Sequence, residues 1–330
     1  MKAVSFEQHG GPEVLRLGEV PTPEPGPGEV LVRVEACSLN YHDVFTRRGM
    51  PGIRVPLPMV PGCDGAGHIA TLGTDIQGWS EGDRVLIDPL VGATGMLGDT
   101  AWGTCAELVR VGADQLIALP DDVDATAAAC LPVAYGSAQR MLVTRGRLQE
   151  GETALILGAS GGVGTACVQL AKSLGARVIA VASTPKKCER LRALGADETI
   201  DTSVEDIVEQ TRRTTGRLFS GGGYDVVVNF TGGDTWAPSL RCAKMGGRVL
   251  TCGATAGYDP PTDLRYIWTA ELDVRGSDGW QRDDLLGLLD EVRRGRLEPV
   301  IDRVLPLDEA IEGLRLLEER AVFGKIVIEP

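Results

Sequence analysis

Positive charge is scarce in this chain of 330 residues, which has 33 Lys and Arg against 46 Asp and Glu and a formal net charge of −13. The acidic residues are scattered along the chain rather than gathered in blocks. Nucleic acids and anionic membranes both attract basic surfaces, so this balance disfavours them as partners. Long apolar runs are also missing, and no window approaches the length of a membrane span.

Two further absences bear on where the protein works. The first residues, MKAVSFEQHG, contain no apolar core segment, so we expect no signal peptide and a cytoplasmic location. No CxxC pair is present, and we expect small buried thiols in a reducing compartment rather than disulfides. The cysteines are Cys37, Cys63, Cys105, Cys130, Cys167, Cys188, Cys242 and Cys252.

The most informative segment that is present is TALILGASGGVGTACVQLAKSLGARVIAVAS, at 153–183. It predicts a strand at 153–157, a glycine turn at 158–164, a helix at 165–174 and a second strand at 177–182. Glycine there allows a tight turn, approach of the backbone to a pyrophosphate, and close packing of helix on strand. The helix N-terminus then offers free N–H groups to the phosphates. The predicted cofactor-binding residues of the turn are Ala159, Ser160, Gly161, Gly162, Val163 and Gly164.

The residues after the second strand indicate which dinucleotide binds. An NAD site usually has Asp or Glu there, accepting hydrogen bonds from the ribose 2′-hydroxyl. This chain has Ser183 and Lys187 instead, with Arg190 one turn later. A hydroxyl and cationic groups suit a 2′-phosphate, so the pattern favours NADPH over NADH. The alternative is that the lysines are solvated residues at the start of a surface helix.

The chain changes character near residue 124. Before it, short β-rich runs separated by Gly and Pro predict an irregular, mainly β region. The runs are Lys2–Phe6, Val14–Val20, Val30–Ala36, Gly67–Leu72, Asp83–Ile87 and Cys105–Val109. After it, helices alternate with strands at 153–157, 177–182, 197–200, 225–229, 248–252 and 272–276, which predicts a doubly wound parallel sheet of α/β class.

The C-terminal tail predicts helices at 283–293 and 308–319 and a final strand, Lys325–Ile328. A terminal strand needs a sheet to join, and the N-terminal β region is the available one. We therefore expect a discontinuous outer domain, residues 1–123 and 278–330, around a nucleotide-binding domain, residues 124–277. The active site is expected in the cleft between them.

A set of motifs in order along the whole chain resembles a known family. The motifs are PEPGPGEVLVRVEA (23–36), NYHD (40–43), PGCDGAG (61–67), GASGGVG (158–164), SLGARVIA (173–180), ALGADETID (193–201), GGRVLTCGA (246–254) and GKIVI (324–328). Together they resemble the medium-chain dehydrogenase/reductase superfamily, in its zinc-free quinone oxidoreductase or enoyl reductase branch.

The resemblance implies a GroES-like, mainly β catalytic domain beside a Rossmann domain, and hydride transfer from NADPH. It adds Lys187 and Arg320 as contacts of the 2′-phosphate. It places Asn229 and Gly253 at strand ends near the nicotinamide half of the cofactor, although Gly253 could equally be a plain turn residue. A tyrosine common in the family after the third strand is absent here. A homodimer formed through the edge of the Rossmann sheet is also implied.

The zinc enzymes of the same superfamily hold their catalytic metal at positions that match Asn40, Cys63 and, approximately, Pro132. Asn is a poor zinc ligand and Pro is none, whereas catalytic zinc needs three protein ligands. The segment that matches the structural-zinc lobe, residues 88–104, contains no cysteine. We therefore expect no metal, with Cys63 beside Asp64 left as an open question.

Without a Lewis acid, conjugate reduction is favoured over simple ketone reduction. Ketone reduction builds an alkoxide, which needs a metal or a strong acid. Reduction of an enone or quinone spreads charge into an enolate or hydroquinone anion, which hydrogen bonds can stabilise. The candidate catalytic residues are Asn40 as a donor to the substrate carbonyl, and His42 or Tyr41 as the proton donor. Water is the third candidate donor.

The substrate is expected to be a small apolar or aromatic carbonyl or quinone. Pocket walls are expected from loops 50–59, 90–102 and 258–280, which carry Trp102, Tyr266, Trp268 and Trp280. Two alternatives stay open. One is a zinc-dependent alcohol dehydrogenase with unusual ligands. The other is a catalytically weak NADPH-binding scaffold, like the lens crystallins of this branch.

Overall fold

The computed structural model describes residues 1–52, 54–92 and 95–330. The chain divides into two compact units, Met1–Ala134 with Leu285–Pro330, and Tyr135–Asp284. We call them the outer unit and the nucleotide unit. The predicted pocket loops 50–59 and 90–102 fall partly outside the described residues.

The strands are β1 (Lys2–Ser5), β2 (Arg16–Glu19), β3 (Glu29–Ser38), β4 (Asp64–Leu72), β5 (Arg84–Ile87), β6 (Leu90–Val91), β7 (Gly95–Met96), β8 (Leu108–Gly112), β9 (Leu116–Ala118), β10 (Thr153–Ile156), β11 (Arg177–Ala182), β12 (Glu198–Asp201), β13 (Tyr224–Val228), β14 (Ala243–Thr251), β15 (Asp273–Gly276), β16 (Ile301–Pro306) and β17 (Lys325–Glu329). The α-helices are α1 (Tyr41–Arg48), α2 (Ala125–Ala129), α3 (Ser137–Gln139), α4 (Gly162–Ser173), α5 (Pro185–Ala193), α6 (Ile207–Thr215), α7 (Trp236–Cys242), α8 (Leu264–Thr269), α9 (Arg282–Arg293) and α10 (Ala310–Glu318). Wider π-helical turns, Leu131–Gly136 and Arg140–Arg145, flank α3.

The nucleotide unit is built on a six-stranded sheet in the order β12-β11-β10-β13-β14-β15, with every neighbouring pair parallel. The central strands carry continuous apolar runs, because a parallel strand is covered by helices on both faces. In β10, Leu155 pairs with Ile179 on one side and Val227 on the other, and all three are buried. This confirms the predicted doubly wound Rossmann fold.

The outer unit is built on a seven-stranded sheet in the order β16-β17-β3-β4-β5-β9, with β8 also paired to β3. The terminal strand β17 pairs antiparallel with β3, Val327 opposite Ser38, so the prediction that it joins the N-terminal sheet is confirmed. Strand β16 was not predicted. It is an edge strand that pairs only with β17 among the described strands.

Three predicted strand starts are wrong by three residues or more. Strand β4 begins at Asp64 rather than at Gly67. The run Cys105–Val109 was expected as a strand, but β8 begins at Leu108, because the Cys105 amide donates instead to Pro61 O in a loop (3.0 Å). Strand β14 begins at Ala243 rather than at residue 248, since a bulge in its pairing with β13 lengthens the ladder.

The units divide at 134/135 and 284/285, whereas the sequence predicted boundaries at 123/124 and 277/278. Two hydrogen bonds fix segment 124–134 to the outer sheet. Ser38 Oγ donates to Ala129 O (2.8 Å), and the Val133 amide donates to Asp64 Oδ1 (2.9 Å). Contacts made after the chain folds, rather than a change of composition, therefore set this boundary.

Two observations concern features that the sequence was expected to lack, disulfides and a membrane span. Every cysteine is free in the described part of the chain, seven of them buried and Cys252 half-buried. None of the described helices combines the length and the apolar character needed to cross a membrane.

Candidate active site and cofactor-binding site

The glycine turn of the nucleotide unit is shaped by two glycines with different constraints. Gly158 adopts a φ of +66°, a left-handed conformation that L-residues avoid. Gly164 lies in the first turn of α4, where a Cβ would stand 2.3 Å from Gly158 O. Both are therefore required by the turn itself. Gly158 lies in the predicted glycine turn but is absent from the predicted cofactor-binding residues, which begin at Ala159.

The N-terminus of α4 is open to an anion. Its N-cap, Gly161, has no side chain, and no described side chain caps the helix. Helices α5 and α6, by contrast, are capped by Thr184 and Asp206. A Cβ at Gly161 would find only Gly158 O within 4 Å, at 3.6 Å, among the described atoms. An uncapped helix start with room beside its backbone fits a dinucleotide pyrophosphate.

The other predicted turn residues divide by burial. Ala159 is wholly buried, and its amide donates to Val181 O (3.1 Å), which ties the turn to β11. Ser160, Gly162 and Val163 remain partly exposed. The partly exposed residues are therefore the ones available to a cofactor, and Ala159 supports them.

The predicted 2′-phosphate site follows β11. Ser183 is exposed and Lys187 half-buried, and the Lys187 amide donates to the capping Thr184 Oγ1 (3.3 Å). The one acid in register with the end of β11 is Asp201, which lies opposite Ala182. Its carboxylate already accepts from the Ser203 amide and hydroxyl (3.0 and 2.7 Å).

The two residues predicted near the nicotinamide differ in character. Asn229 is wholly buried; its Nδ2 donates to Ser239 Oγ (2.7 Å) and its Oδ1 accepts from the Thr231 and Gly232 amides (2.9 Å each). These bonds shape the loop after β13, so any effect of Asn229 on a cofactor would pass through that loop. Gly253 is exposed after β14.

Arg320, the other predicted 2′-phosphate contact, belongs to the outer unit. It follows α10, is exposed, and adopts a left-handed φ of +58°. A non-glycine residue in this conformation is uncommon and ends a helix sharply. Its role toward a cofactor stays a prediction.

In the outer unit, Asn40 belongs to a buried charge network. Lys325 Nζ donates to Asn40 Oδ1 (2.5 Å) and to Leu39 O (2.9 Å), and lies 3.4 Å from Asp64 Oδ2. Asn40 Nδ2 donates to Asp64 Oδ2 (2.8 Å) and to Ser38 O (3.1 Å). Both side-chain amide hydrogens of Asn40 are therefore in use in this structure. Donation from Asn40 to a substrate carbonyl would require the exchange of one of these bonds and stays a prediction.

Asp43 anchors the start of α1. One carboxylate oxygen of Asp43 accepts a hydrogen bond from the backbone N–H of Asn40 (2.8 Å), and the other accepts one from the backbone N–H of Gly62 (3.0 Å). Burial raises the pKa of Asp43, although these amides and His42 partly oppose the shift. Cys63 donates to the same carboxylate (3.5 Å), and burial together with the neighbouring carboxylates raises the pKa of its thiol.

His42 and Asp99 form a pair that the sequence did not predict. His42 Nε2 lies 3.0 Å from Asp99 Oδ2, and Asp99 Oδ1 accepts from the Met96 amide (3.0 Å). Asp99 is buried and the His42 ring is partly exposed. A carboxylate fixed by the backbone can orient an imidazole for proton transfer. The two residues lie 57 positions apart, so no local pattern could have indicated the pair.

Tyr41, the competing proton donor, is half-buried at the first position of α1. Its ring packs edge-on against Phe45, with ring centroids 5.1 Å apart. This contact gives Tyr41 a packing role, and its hydroxyl makes no hydrogen bond among the described residues.

The described residues do not fit catalytic zinc. Across the ranges 1–52, 54–92 and 95–330, no group of three His, Cys, Asp or Glu side chains could hold a metal ion. Of the matched positions, Asn40 is hydrogen-bonded to Lys325 and Asp64, Cys63 is a thiol of raised pKa, and Pro132 has no donor. The matched positions therefore do not supply the three protein ligands that catalytic zinc needs.

Comparison with known proteins establishes the class of enzyme to which this chain belongs. Residues 26–121 match the model of the alcohol dehydrogenase GroES-like domain, and residues 162–294 match that of the zinc-binding dehydrogenases. These matches and the relatives below make the protein an oxidoreductase that uses a nicotinamide dinucleotide. The chain belongs to the medium-chain dehydrogenase/reductase superfamily, in its quinone oxidoreductase branch.

The similarity extends over the whole chain. A quinone oxidoreductase from Pseudomonas aeruginosa is 32% identical, covering 100% of this chain and 99% of its own. The NADPH-dependent alkenal/one oxidoreductase, chloroplastic, from Arabidopsis thaliana is 31% identical, with 100% and 80% covered. A solved NAD-dependent alcohol dehydrogenase has a TM-score of 0.92 and 37% identity, and both chains are covered completely.

Proposed function

We propose that this protein is an NADPH-dependent reductase of quinones or α,β-unsaturated carbonyl compounds that works without a metal. The observation that carries the proposal is the Asn40–Asp64–Lys325 network, in which Asn40, at one of the matched zinc-ligand positions, is hydrogen-bonded to the other two residues. A site of this composition suits an acceptor whose charge is delocalised. The activities named for the quinone oxidoreductase and alkenal/one oxidoreductase relatives support the same substrate class.

When bound, NADPH supplies the hydride, and the chain's own groups orient it and manage the proton. The uncapped start of α4 binds the pyrophosphate, and Ser183 with Lys187 binds the 2′-phosphate. NADPH is proposed over NADH because of the residues at the end of β11. Among the described residues, Asp201 is the acid in register there, and its carboxylate already accepts hydrogen bonds from Ser203 rather than being free for a ribose hydroxyl. The solved structure named as NAD-dependent makes cofactor preference the first property to measure.

We expect Lys187→Gln to raise the KM for NADPH by about tenfold and to leave the KM for NADH unchanged. The reason is the loss of one charge-assisted contact, worth about 1.5–3 kcal/mol, to a phosphate that only NADPH carries. Steady-state kinetics with both cofactors measure the effect, and Arg213→Gln, at an exposed arginine of α6, is the control. If the KM rose equally for NADPH and NADH, Lys187 would not be a contact of the 2′-phosphate.

The His42–Asp99 pair is proposed to deliver the proton. Hydride addition to the β-carbon of an enone leaves an enolate, which takes up one proton at carbon or oxygen. His42 can donate that proton, while Asp99, held by the Met96 amide, positions the ring. Tyr41 and water are the competing donors.

We expect His42→Ala to lower kcat by about a hundredfold, the lower end of what general acid catalysis contributes. Asp99→Asn should lower kcat by less, because the ring keeps its nitrogen donor and loses only the carboxylate that orients it. Tyr41→Phe is the matched control and should keep its activity. Full activity in both His42→Ala and Tyr41→Phe would make water the donor.

A zinc-dependent alcohol dehydrogenase remains the second candidate, favoured by the name of the matching family model and of the solved relative. Stoichiometric zinc in purified protein, whose removal abolishes turnover, would establish it. The third candidate, a weakly active NADPH-binding scaffold, would show quenching of tryptophan fluorescence by NADPH with no turnover.

We also propose that the protein is a cytoplasmic homodimer. Strand β15 ends the nucleotide sheet among the described strands, and Val274 on it is 39% exposed. An unpaired strand edge with an exposed apolar side chain suits pairing with a second copy. Sedimentation equilibrium of the purified protein tests the dimer.

A further inference from the structure

Two cysteine sulfurs are in contact in the core of the outer unit. Cys37 Sγ lies 3.8 Å from Cys105 Sγ, and either thiol can donate a hydrogen bond to the other. Both residues are wholly buried in the same apolar cluster, Cys37 near the end of β3 and Cys105 in the loop before β8. A disulfide would form if the sulfurs approached to about 2.05 Å.

The backbone at Cys105 is tied to Pro61 and Gly62. The Cys105 amide donates to Pro61 O (3.0 Å), and the Thr104 amide donates to Gly62 O (3.0 Å). The contact is tight, because a Cβ at Gly62 would stand 2.7 Å from Cys105 N and 3.0 Å from Cys105 Sγ. A shift of Cys105 toward β3 would therefore move Pro61 and Gly62 as well.

Gly62 and Cys63 in turn hold the carboxylate that anchors α1. Asp43 Oδ1 accepts from the Gly62 amide (3.0 Å) and from the Cys63 thiol (3.5 Å), and Asp43 Oδ2 accepts from the Asn40 amide (2.8 Å). His42, the proposed proton donor, lies in the same first turn of α1. The thiol pair is thus connected to the proposed donor through one loop and one carboxylate.

We propose that Cys37 and Cys105 form a redox switch, in which a hydroperoxide oxidises the pair to a disulfide that slows reduction at the outer-unit site. In the first step hydrogen peroxide converts the Cys105 thiol to a sulfenic acid, and one molecule of water forms. In the second step the Cys37 sulfur attacks the sulfenic sulfur, the S–S bond forms and a second water leaves. The effect on turnover rests on the proposed reductase function, whereas formation of the disulfide does not.

The pair stays reduced until the loop around Cys105 opens. The hydrogen bond with Cys37 and burial raise the pKa of the Cys105 thiol well above its usual range, which keeps it in the less reactive protonated form. The loop 97–107, between β7 and β8, is held by hydrogen bonds to neighbouring segments rather than by a helix or a strand ladder. Such segments open locally more readily than the strands of a sheet. We therefore expect slow oxidation, at a rate set by the opening of this loop.

Peptide mapping of the full chain tests the pair directly. The reduced protein is incubated with hydrogen peroxide, unfolded, blocked with N-ethylmaleimide and digested. We expect a peptide that joins Cys37 to Cys105, and either Cys37→Ala or Cys105→Ala should abolish it. Cys130→Ser, at another buried thiol of the outer unit, is the matched control and should keep the cross-link. A pair that stays reduced, or a cross-link from Cys105 to Cys63 instead, would overturn the proposal.

The effect of the disulfide on the site is measured by kinetics. In the oxidised protein, kcat for an enone should fall at least about tenfold, since a displacement of about 1 Å at a site can lower its rate about a hundredfold. The Kd for NADPH should not change, because the glycine turn lies in the nucleotide unit. Dithiothreitol should restore kcat.

Hydrogen–deuterium exchange measures the same change without turnover. After oxidation, the amides of residues 40–48 and 61–63 should exchange faster, and those of residues 153–183 should not change. A disulfide that alters neither kcat nor exchange at residues 40–48 would show that the pair is not a switch. If the reduced protein turns over no enone or quinone, the proposed reductase function fails, and the exchange result alone decides whether the disulfide acts on the site.

Discussion

Gly161→Ala is expected to lower the affinity for NADPH by at least about thirtyfold while leaving the fold intact. The backbone at Gly161 is extended, with φ −84° and ψ 178°, which alanine adopts without strain. The new methyl group would have only Gly158 O within 4 Å among the described atoms. It would instead occupy the space where a pyrophosphate approaches the helix, so that about 1.5–3 kcal/mol is lost for each disrupted amide–phosphate bond.

The matched control is Gly164→Ala, three residues along the same turn. There the methyl group would stand 2.3 Å from Gly158 O and 2.6 Å from Ala159 C, so the turn must deform. We expect the free energy of unfolding to fall by about 1–3 kcal/mol or more. Cofactor affinity from fluorescence quenching and stability from urea unfolding separate the two effects. If a stable Gly161→Ala protein bound NADPH with wild-type affinity, the pyrophosphate of the dinucleotide would not bind at the N-terminus of α4.

Lys325→Met is expected to lower the free energy of unfolding by about 3–5 kcal/mol. Lys325 and Asp64 are almost completely buried, with side chains 2% and 0% exposed. The ammonium group donates to Leu39 O and Asn40 Oδ1, and removing it leaves those acceptors and the Asp64 charge without their cation. An unpaired buried charge is among the most destabilising changes that a core can suffer.

A double variant shows whether charge is the cause. In Asp64→Asn/Lys325→Met the buried carboxylate is also removed, so the double variant should be destabilised by less than the sum of the single changes. Lys186→Met, on the exposed start of α5, should stay within about 0.5 kcal/mol of the wild type. Urea unfolding is measured for the wild type, the single variants Asp64→Asn and Lys325→Met, the double variant and Lys186→Met. A loss below about 1 kcal/mol in Lys325→Met would show that the network does not stabilise the outer unit.

The nucleotide unit was predictable because its signals are local. Strand β10, the glycine turn, α4 and β11 follow one another within about thirty residues, and each has a periodicity or a glycine pattern of its own. Edge strands and the exact ends of strands were harder to predict from the sequence. Among the described strands, β16 pairs only with β17, which follows it after a helix. Strand β14 is extended by a bulge that its amino-acid composition does not indicate.

The outer-unit site was less predictable, because its partners are distant in the chain. Asn40, Tyr41 and His42 could be found as a motif, but Lys325 lies 285 residues from Asn40 and Asp99 lies 57 from His42. The sequence therefore named these residues without their hydrogen-bond partners, and the role predicted for Asn40 took no account of Asp64 and Lys325. The division at 134/135 has the same origin, since Val133 and Ala129 bond to strands far earlier in the chain.

The most direct test of metal-free conjugate reduction follows NADPH oxidation by absorbance with an enone and its saturated ketone, in the presence of EDTA. We predict that the enone is reduced at a rate that EDTA does not change, and that the saturated ketone is not reduced. Reduction of the saturated ketone at a comparable rate, lost with EDTA and restored by zinc, would contradict the account.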